Sequence, residues 1–195
     1  LLTSAAQGDA VLIDAPGGIW EEIAPRLAAD GVKLTRLWIT HGHWDHTQGG
    51  AEVVRHTGAR VVAHPADRSL IETPEIMSAF LGEELGLEPM TVNQWLQPGQ
   101  TLDAFGNVVE VRHVPGHCPG NVLFYFAQQR AAFVGDAIFS GSVGRTDLPG
   151  GSMEELAESI RREIYTLPED TVLYPGHGPA TRVGVERRTN PFVTG

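Results

Sequence analysis

Short apolar runs closed by glycine or proline alternate with stretches of helical spacing along the first third of this chain. Val11-Leu12-Ile13 reads as a buried strand, closed by Asp14-Ala15-Pro16-Gly17-Gly18. Ile19, Ile23 and Leu27 recur at helical spacing over residues 19–29, and Gly31 marks the stop. Pro25 either interrupts this helix or lies near its first turn. Residues 34–39 predict a second strand, 51–56 a helix stopped by Gly58, and 60–64 a third strand ended by Pro65. The order strand, helix, strand, helix, strand is an α/β alternation.

Residues 66–97 break the pattern. They are acidic and helix-prone, with Pro74, Gly82, Gly86, Pro89 and Pro98 as punctuation, and predict short helices inserted over one face. The second half turns β-rich: residues 107–114, 122–126 and 131–134 are strand-like, with 127–130 as a hairpin turn. Residues 152–167 predict an amphipathic helix. Ser152 can cap it, Glu154 and Glu155 suit its first turn, and Met153, Leu156, Ile160 and Ile164 form its apolar stripe. Residues 171–174 read as a last strand, leading into Pro175-Gly176-His177. With no internal repeat, low-complexity segment or linker, one domain over 1–195 is expected.

Composition narrows the function classes. Hydrophobic residues make up 42% of the 195, which excludes disorder. A net charge of −10 argues against nucleic acid or an anionic membrane as partner, because nothing global attracts phosphate. A single cysteine, Cys118, excludes an intrachain disulfide framework and a cysteine-based zinc finger. No apolar run approaches the roughly 20 residues that span a bilayer, and no signal peptide opens the sequence. The expectation is a cytoplasmic protein; oligomeric state is left open. The start at Leu1-Leu2 leads us to expect that an initial strand is missing.

The chemistry concentrates in Thr40-His41-Gly42-His43-Trp44-Asp45-His46, delivered by the apolar run Leu37-Trp38-Ile39. Imidazole and carboxylate are donors for Zn²⁺, Fe²⁺ or Mn²⁺. His41 and His43 are two apart and can point the same way from an extended strand end, while Asp45 and His46 follow in the turn. Three further ligand types stand just past apolar runs, each beside glycine or proline: His117, Asp136 and His177. The count closes on two metals. His41, His43 and His117 can hold one, Asp45, His46 and His177 the other, with Asp136 bridging. Two divalent ions so held lower the pKa of bound water and stabilise an oxyanion, which makes a metal-bridged hydroxide the candidate nucleophile, with Asp45 and Asp136 as the catalytic carboxylates.

The run THGHWDH, then GHCPGN, GDAIFSGSVGRTDLPGG and YPGHGP resembles the metallo-β-lactamase superfamily, and most closely its glyoxalase II (hydroxyacylglutathione hydrolase) branch in the short bacterial form without a C-terminal helical domain. The resemblance runs in order over nearly the whole chain and includes Asn190-Pro191-Phe192. It implies a four-layer αβ/βα sandwich, the ligand partition reached by counting, and two divalent ions, zinc first, with iron or manganese as alternatives. It also implies a small-molecule thioester substrate such as S-D-lactoylglutathione. The alternatives are a persulfide dioxygenase of the same fold, with one iron on His41, His117 and Asp136, and a non-catalytic metal-binding module.

Arg145, in Gly144-Arg145-Thr146-Asp147, can meet a substrate carboxylate or pin its loop through Asp147. The resemblance also implies that Asp14, at the end of the first strand, lies near the metal loop and can hold it through hydrogen bonds. Cys118 adjoins a ligand but reads as a space-filling residue, and His56, His64 and His113 read as structural. Trp20, Trp38, Trp44 and Trp95 read as core or rim aromatics, with Trp44 able to line a pocket. Gln48 and Asn121 depart from the residues usual in the family at those places.

Overall fold

A computed structural model describes residues 1–97 and 99–195, so Pro98 lies outside the described residues. The chain divides into two compact units, Leu1–Leu96 and Gln97–Gly195. Among the described residues no helix is long and apolar enough to cross a membrane.

In the first unit β1 (Leu2–Ser4), β2 (Asp9–Ile13), β3 (Lys33–Trp38), β4 (Arg60–Ala63) and β5 (Gln94–Trp95) form one sheet in that order. β1 runs antiparallel to β2 and the rest pair in parallel. Parallel strands covered on both faces read as continuous apolar runs. Accordingly Leu37 and Trp38, which point to opposite faces, are both buried. Helix α1 (Ile19–Asp30) buries Ile23 and Leu27, and α3 (Gly50–Thr57) buries Val53. Each large apolar side chain taken from water contributes roughly 1.5–3 kcal/mol. Gly31 and Gly58 close these helices in the left-handed conformation that glycine adopts without strain.

One expectation changes here. Pro25 neither interrupts α1 nor sits in its first turn; the helix runs through it. Pro25 and Glu21, whose carbonyl loses its amide partner, both lie on the exposed face, where water can satisfy that carbonyl. Residues 2–4 form an edge strand on β2. The range 66–97 takes in the end of the 3-10 turn Pro65–Asp67, the short helices α4 (Arg68–Glu72) and α5 (Glu75–Leu81), and β5.

The second unit holds β6 (Thr101–Ala104), β7 (Asn107–His113), β8 (Val122–Phe126), β9 (Ala131–Gly135), β12 (Val172–Pro175) and β13 (Thr181–Arg182). Their sheet order is β13-β12-β9-β8-β7-β6, with β10 (Ile138–Phe139) and β11 (Ser142–Val143) as a separate hairpin. β6 to β9 form an antiparallel meander, and β12 adds parallel to β9. Helix α6 (Met153–Ser159) continues as a π-helical turn over Ile160–Ile164. The Ser152 hydroxyl accepts from the Glu155 amide, a cap that stabilises by about 1 kcal/mol. Leu156, Ile160 and Ile164 are fully buried, whereas Met153 is exposed. It stands at the first helical position, before the stripe meets the sheet. The hydrophobic pattern did not predict β6, β10, β11, β13 or α7 (Val183–Thr189), because each is too short or too polar to carry a period.

Candidate metal centre

The ligand loop of the first unit begins where β3 stops. The Ile39 amide still reaches across to the Val62 carbonyl, and the chain then turns through Thr40 to His43 into α2 (Trp44–Thr47), a single helical turn. Asp14, at the end of β2, holds that turn from beneath. Its carboxylate accepts from the Thr40 amide at 2.7 Å and the Thr40 hydroxyl at 2.7 Å, and from His46 Nδ1 at 2.8 Å. The Thr40 hydroxyl spends its proton on Asp14, so it accepts from His41 Nδ1 at 3.1 Å. Both rings are thereby fixed with Nδ1 protonated, which turns the Nε2 lone pair to the side where a cation could meet it, the usual way a partner sets a metal-binding tautomer. Asp14 does this from a left-handed backbone, φ 57°, which short polar side chains tolerate best.

The rings of His41 and His43 meet edge to face at 4.8 Å between centroids, and those of His41 and His46 at 4.1 Å. All three histidines are buried, while the Asp45 side chain remains 31% exposed. Four sequence-predicted ligand residues are therefore brought together by one loop. The Thr47 hydroxyl donates to the His43 carbonyl and secures the turn. On the far side, the buried Asp67 accepts from the Gly42 amide at 2.8 Å.

In the second unit, parallel pairing sets Asp136 and His177 off the same ends of adjacent strands. The Gly176 amide donates to the Gly135 carbonyl at 2.9 Å, and His177 Nε2 lies 3.4 Å from Asp136 Oδ2. His117, from the loop after β7, places Nε2 3.8 Å from the same oxygen and donates Nδ1–H to the Arg145 carbonyl at 2.7 Å. Asn121 is fully buried; its Oδ1 accepts from the Asp136 amide and its Nδ2 donates to the Val134 carbonyl, which ties the His117 loop to β9. Gly116 has φ 121°, and any Cβ there would run into the Leu156 backbone, so glycine alone lets α6 approach. His117 and Asp136 are buried and His177 is 55% exposed.

Arg145 forms a two-pronged ion pair with Asp147, both contacts at 2.7 Å, so its guanidinium pins the loop whose carbonyl holds His117. Cys118 is fully buried. His56 stacks on Trp20, His64 caps the turn at Pro65–Asp67, and His113 bonds to the Pro119 carbonyl, all three structural roles. Gln48 donates to the Leu85 carbonyl. Trp38 is core, and Trp95 lies under the Arg68 guanidinium. Asp67 and Asn121 went unread in the sequence as partners of the ligands. Nothing in their neighbourhood separates them from ordinary turn residues, because their role depends on contacts 25 and 15 residues away.

In each unit, then, a sheet delivers imidazole and carboxylate groups to strand ends, and hydrogen-bonded neighbours set the rings of His41, His46 and His117. That donor chemistry suits a borderline divalent cation. The family model of the metallo-beta-lactamase superfamily matches residues 2–177, through both units, and the chain belongs to that superfamily and has its fold. It is 34% identical over 187 residues to the hydroxyacylglutathione hydrolase GloC of Haemophilus influenzae, covering 95% of this chain and 87% of that one. Among solved structures it is similar to BLEG-1 B3 metallo-beta-lactamase, with 33% identity, a TM-score of 0.88 and coverage of 97% and 90% of the two chains. It is also similar to TTHA1623 in a di-iron-bound form, with 37% identity, a TM-score of 0.82 and coverage of 94% and 89%.

Proposed function

We propose that this chain is a metal-dependent hydrolase that cleaves a thioester such as S-D-lactoylglutathione, giving the hydroxy acid and the free thiol. The observation that carries the reading is the likeness to GloC over 95% of the chain, in which both ligand sets are present. In this reading His41, His43 and His117 would hold one divalent ion and Asp45, His46 and His177 the other, with Asp136 shared between the two sets. The nitrogen and oxygen donors favour zinc, and iron fits them too, as the di-iron form of TTHA1623 illustrates for a relative. Bound divalent ions supply an acidified water and stabilisation for the oxyanion that forms at the thioester carbonyl.

The protein's own residues do the positioning. Asp14 and Thr40 set the ring nitrogens of His41 and His46, and Asn121 sets the Asp136 backbone. Asp45, the partly exposed carboxylate of the loop, would orientate the water that the ions acidify. A thiolate needs little protonation to leave, so the reaction requires no separate general acid.

Elemental analysis of protein purified without added metal should return two ions per chain. Release of thiol from S-D-lactoylglutathione should vanish in Asp136→Ala and after chelation, and return on adding zinc to the chelated wild type. A single iron per chain with oxygen uptake on glutathione persulfide would replace this reading with an oxidoreductase.

A further inference from the structure

We propose that Asp67 is a positioning residue of the metal loop, acting on cation affinity through the Gly42 amide. The inference rests on reading Thr40 to His46 as a metal-ligand loop. Asp67 ends the 3-10 turn Pro65–Asp67 and is 1% exposed. A carboxylate is buried at a high cost unless hydrogen bonds compensate it. Its position at the start of α4 offers a bland explanation, a helix cap, but its side chain makes no capping bond to that helix. It accepts instead from the Gly42 N–H at 2.8 Å, across 25 residues of sequence.

Gly42 is the link between His41 and His43, so the plane of its peptide sets the relative direction of the two rings. The contact is close: a Cβ on Gly42 would stand 2.7 Å from Leu70 Cβ and 3.0 Å from Asp67 Cβ. The segment 67–70 therefore forms a floor under the loop, and the charge-assisted bond from Asp67 fixes the loop to it. With Asp14 holding Thr40 and His46, and Asp67 holding Gly42, the two carboxylates lock the loop at three points before any cation binds.

The test is cobalt(II) titration of the chelator-stripped full chain, read by visible absorption and by competition with a chromophoric chelator. Asp67→Ala should weaken cobalt affinity about 10–100-fold, the usual cost of losing a ligand's supporting partner. Asp67→Asn keeps an oxygen that can accept the same N–H and should regain most of that loss; it also carries the test if the alanine variant fails to fold. Cobalt affinity in Asp67→Ala equal to wild type overturns the proposal, as does an asparagine variant that loses as much as alanine. If only the urea stability of the stripped protein falls while cobalt affinity holds, Asp67 is a structural cap and the proposal fails. Wild-type protein that takes up no cobalt at all defeats the metal reading itself, and Asp67's role with it.

Discussion

Asp14 offers the sharpest quantitative test, because one carboxylate carries three hydrogen bonds that can be removed in different combinations. Asp14→Ala strips the acceptor from the Thr40 amide, the Thr40 hydroxyl and His46 Nδ1, all within 2.8 Å in the native protein. A hydrogen bond to a charged group contributes roughly 1.5–3 kcal/mol, and leaving a buried donor unpaired costs about 1–3 kcal/mol. Three bonds sharing one acceptor are not additive, so the expected loss is about 3–5 kcal/mol. Alanine also inherits φ 57°, which costs a residue with a Cβ roughly 1–2 kcal/mol. Asp14→Gly removes the same bonds without that strain and should recover about 1 kcal/mol of the loss.

Asp14→Asn separates stability from chemistry. Asparagine tolerates the left-handed backbone and can still accept the Thr40 amide through its oxygen. It cannot also present an acceptor to both the hydroxyl and His46 Nδ1–H as a carboxylate does. His46 is then free to move its proton to Nε2, the nitrogen required for binding a cation. The asparagine variant should lose less than 2 kcal/mol of stability, by roughly the worth of one hydrogen bond, yet lose about 10–100-fold in metal affinity. Urea unfolding of the stripped protein gives the first quantity and chelator competition the second. An alanine variant within about 1 kcal/mol of wild type, below the worth of even one charged hydrogen bond, would refute the clamp. So would an asparagine variant that binds metal as tightly as wild type.

Three further outcomes follow from single groups. The Arg145 guanidinium holds the Asp147 carboxyl at about 2, below its ordinary value of 3.8. That pair's support is present above pH 4 or so and is lost as pH falls towards 2; Asp147 carboxyl NMR should report the low value, and Arg145→Ala should return it to the ordinary carboxylate range. Burial and the Glu186 carboxylate push the Tyr165 hydroxyl up to about 12 from 10. The folded state therefore keeps a proton that the unfolded chain gives up between those values, and stability should fall as pH rises through them; ultraviolet tyrosinate absorbance should lose its latest step in Tyr165→Phe. Cys118→Ser places a hydroxyl in a fully buried site and should cost about 1–2 kcal/mol in urea unfolding. Metal content and the proposed thioesterase activity per folded molecule should be unchanged, and a loss matching that of Asp136→Ala would give the cysteine a chemical role.

Elements that bury a regular apolar stripe were legible in the sequence: β2, β3, α1, β8 and α6 all fall within a residue or three of their expected spans, apart from the π-helical continuation of α6. Elements whose existence depends on a partner were not. Gln94–Trp95 is a strand only because β4 offers it an edge, and Thr181–Arg182 only because β12 does. Pro25 shows the converse, a local rule overridden because the lost hydrogen bond falls on the solvent side.

The candidate site divides along the same line. A ligand declares itself by residue type, and histidines at 41, 43 and 46 are conspicuous wherever the chain later carries them. An orientating group does not, since Thr40, Asp67 and Asn121 are of types found in any turn, and only contacts made across the fold give them their task. Asp14 was legible through the family resemblance, which sets the end of the first strand near the loop, and the parallel pairing of β2 with β3 is the physical reason. Asp67 follows β4 on the other flank of β3, so the same topology places a carboxylate on each side of the ligand loop. A parallel sheet whose central strand leads into the candidate ligand loop, and whose two neighbours lead on to the acids that hold that loop, sets it through backbone pairing. The loop's geometry is then set by the pairing of β2, β3 and β4, and a substitution in β2 or β4 that shifts register should disturb metal binding before it unfolds the chain.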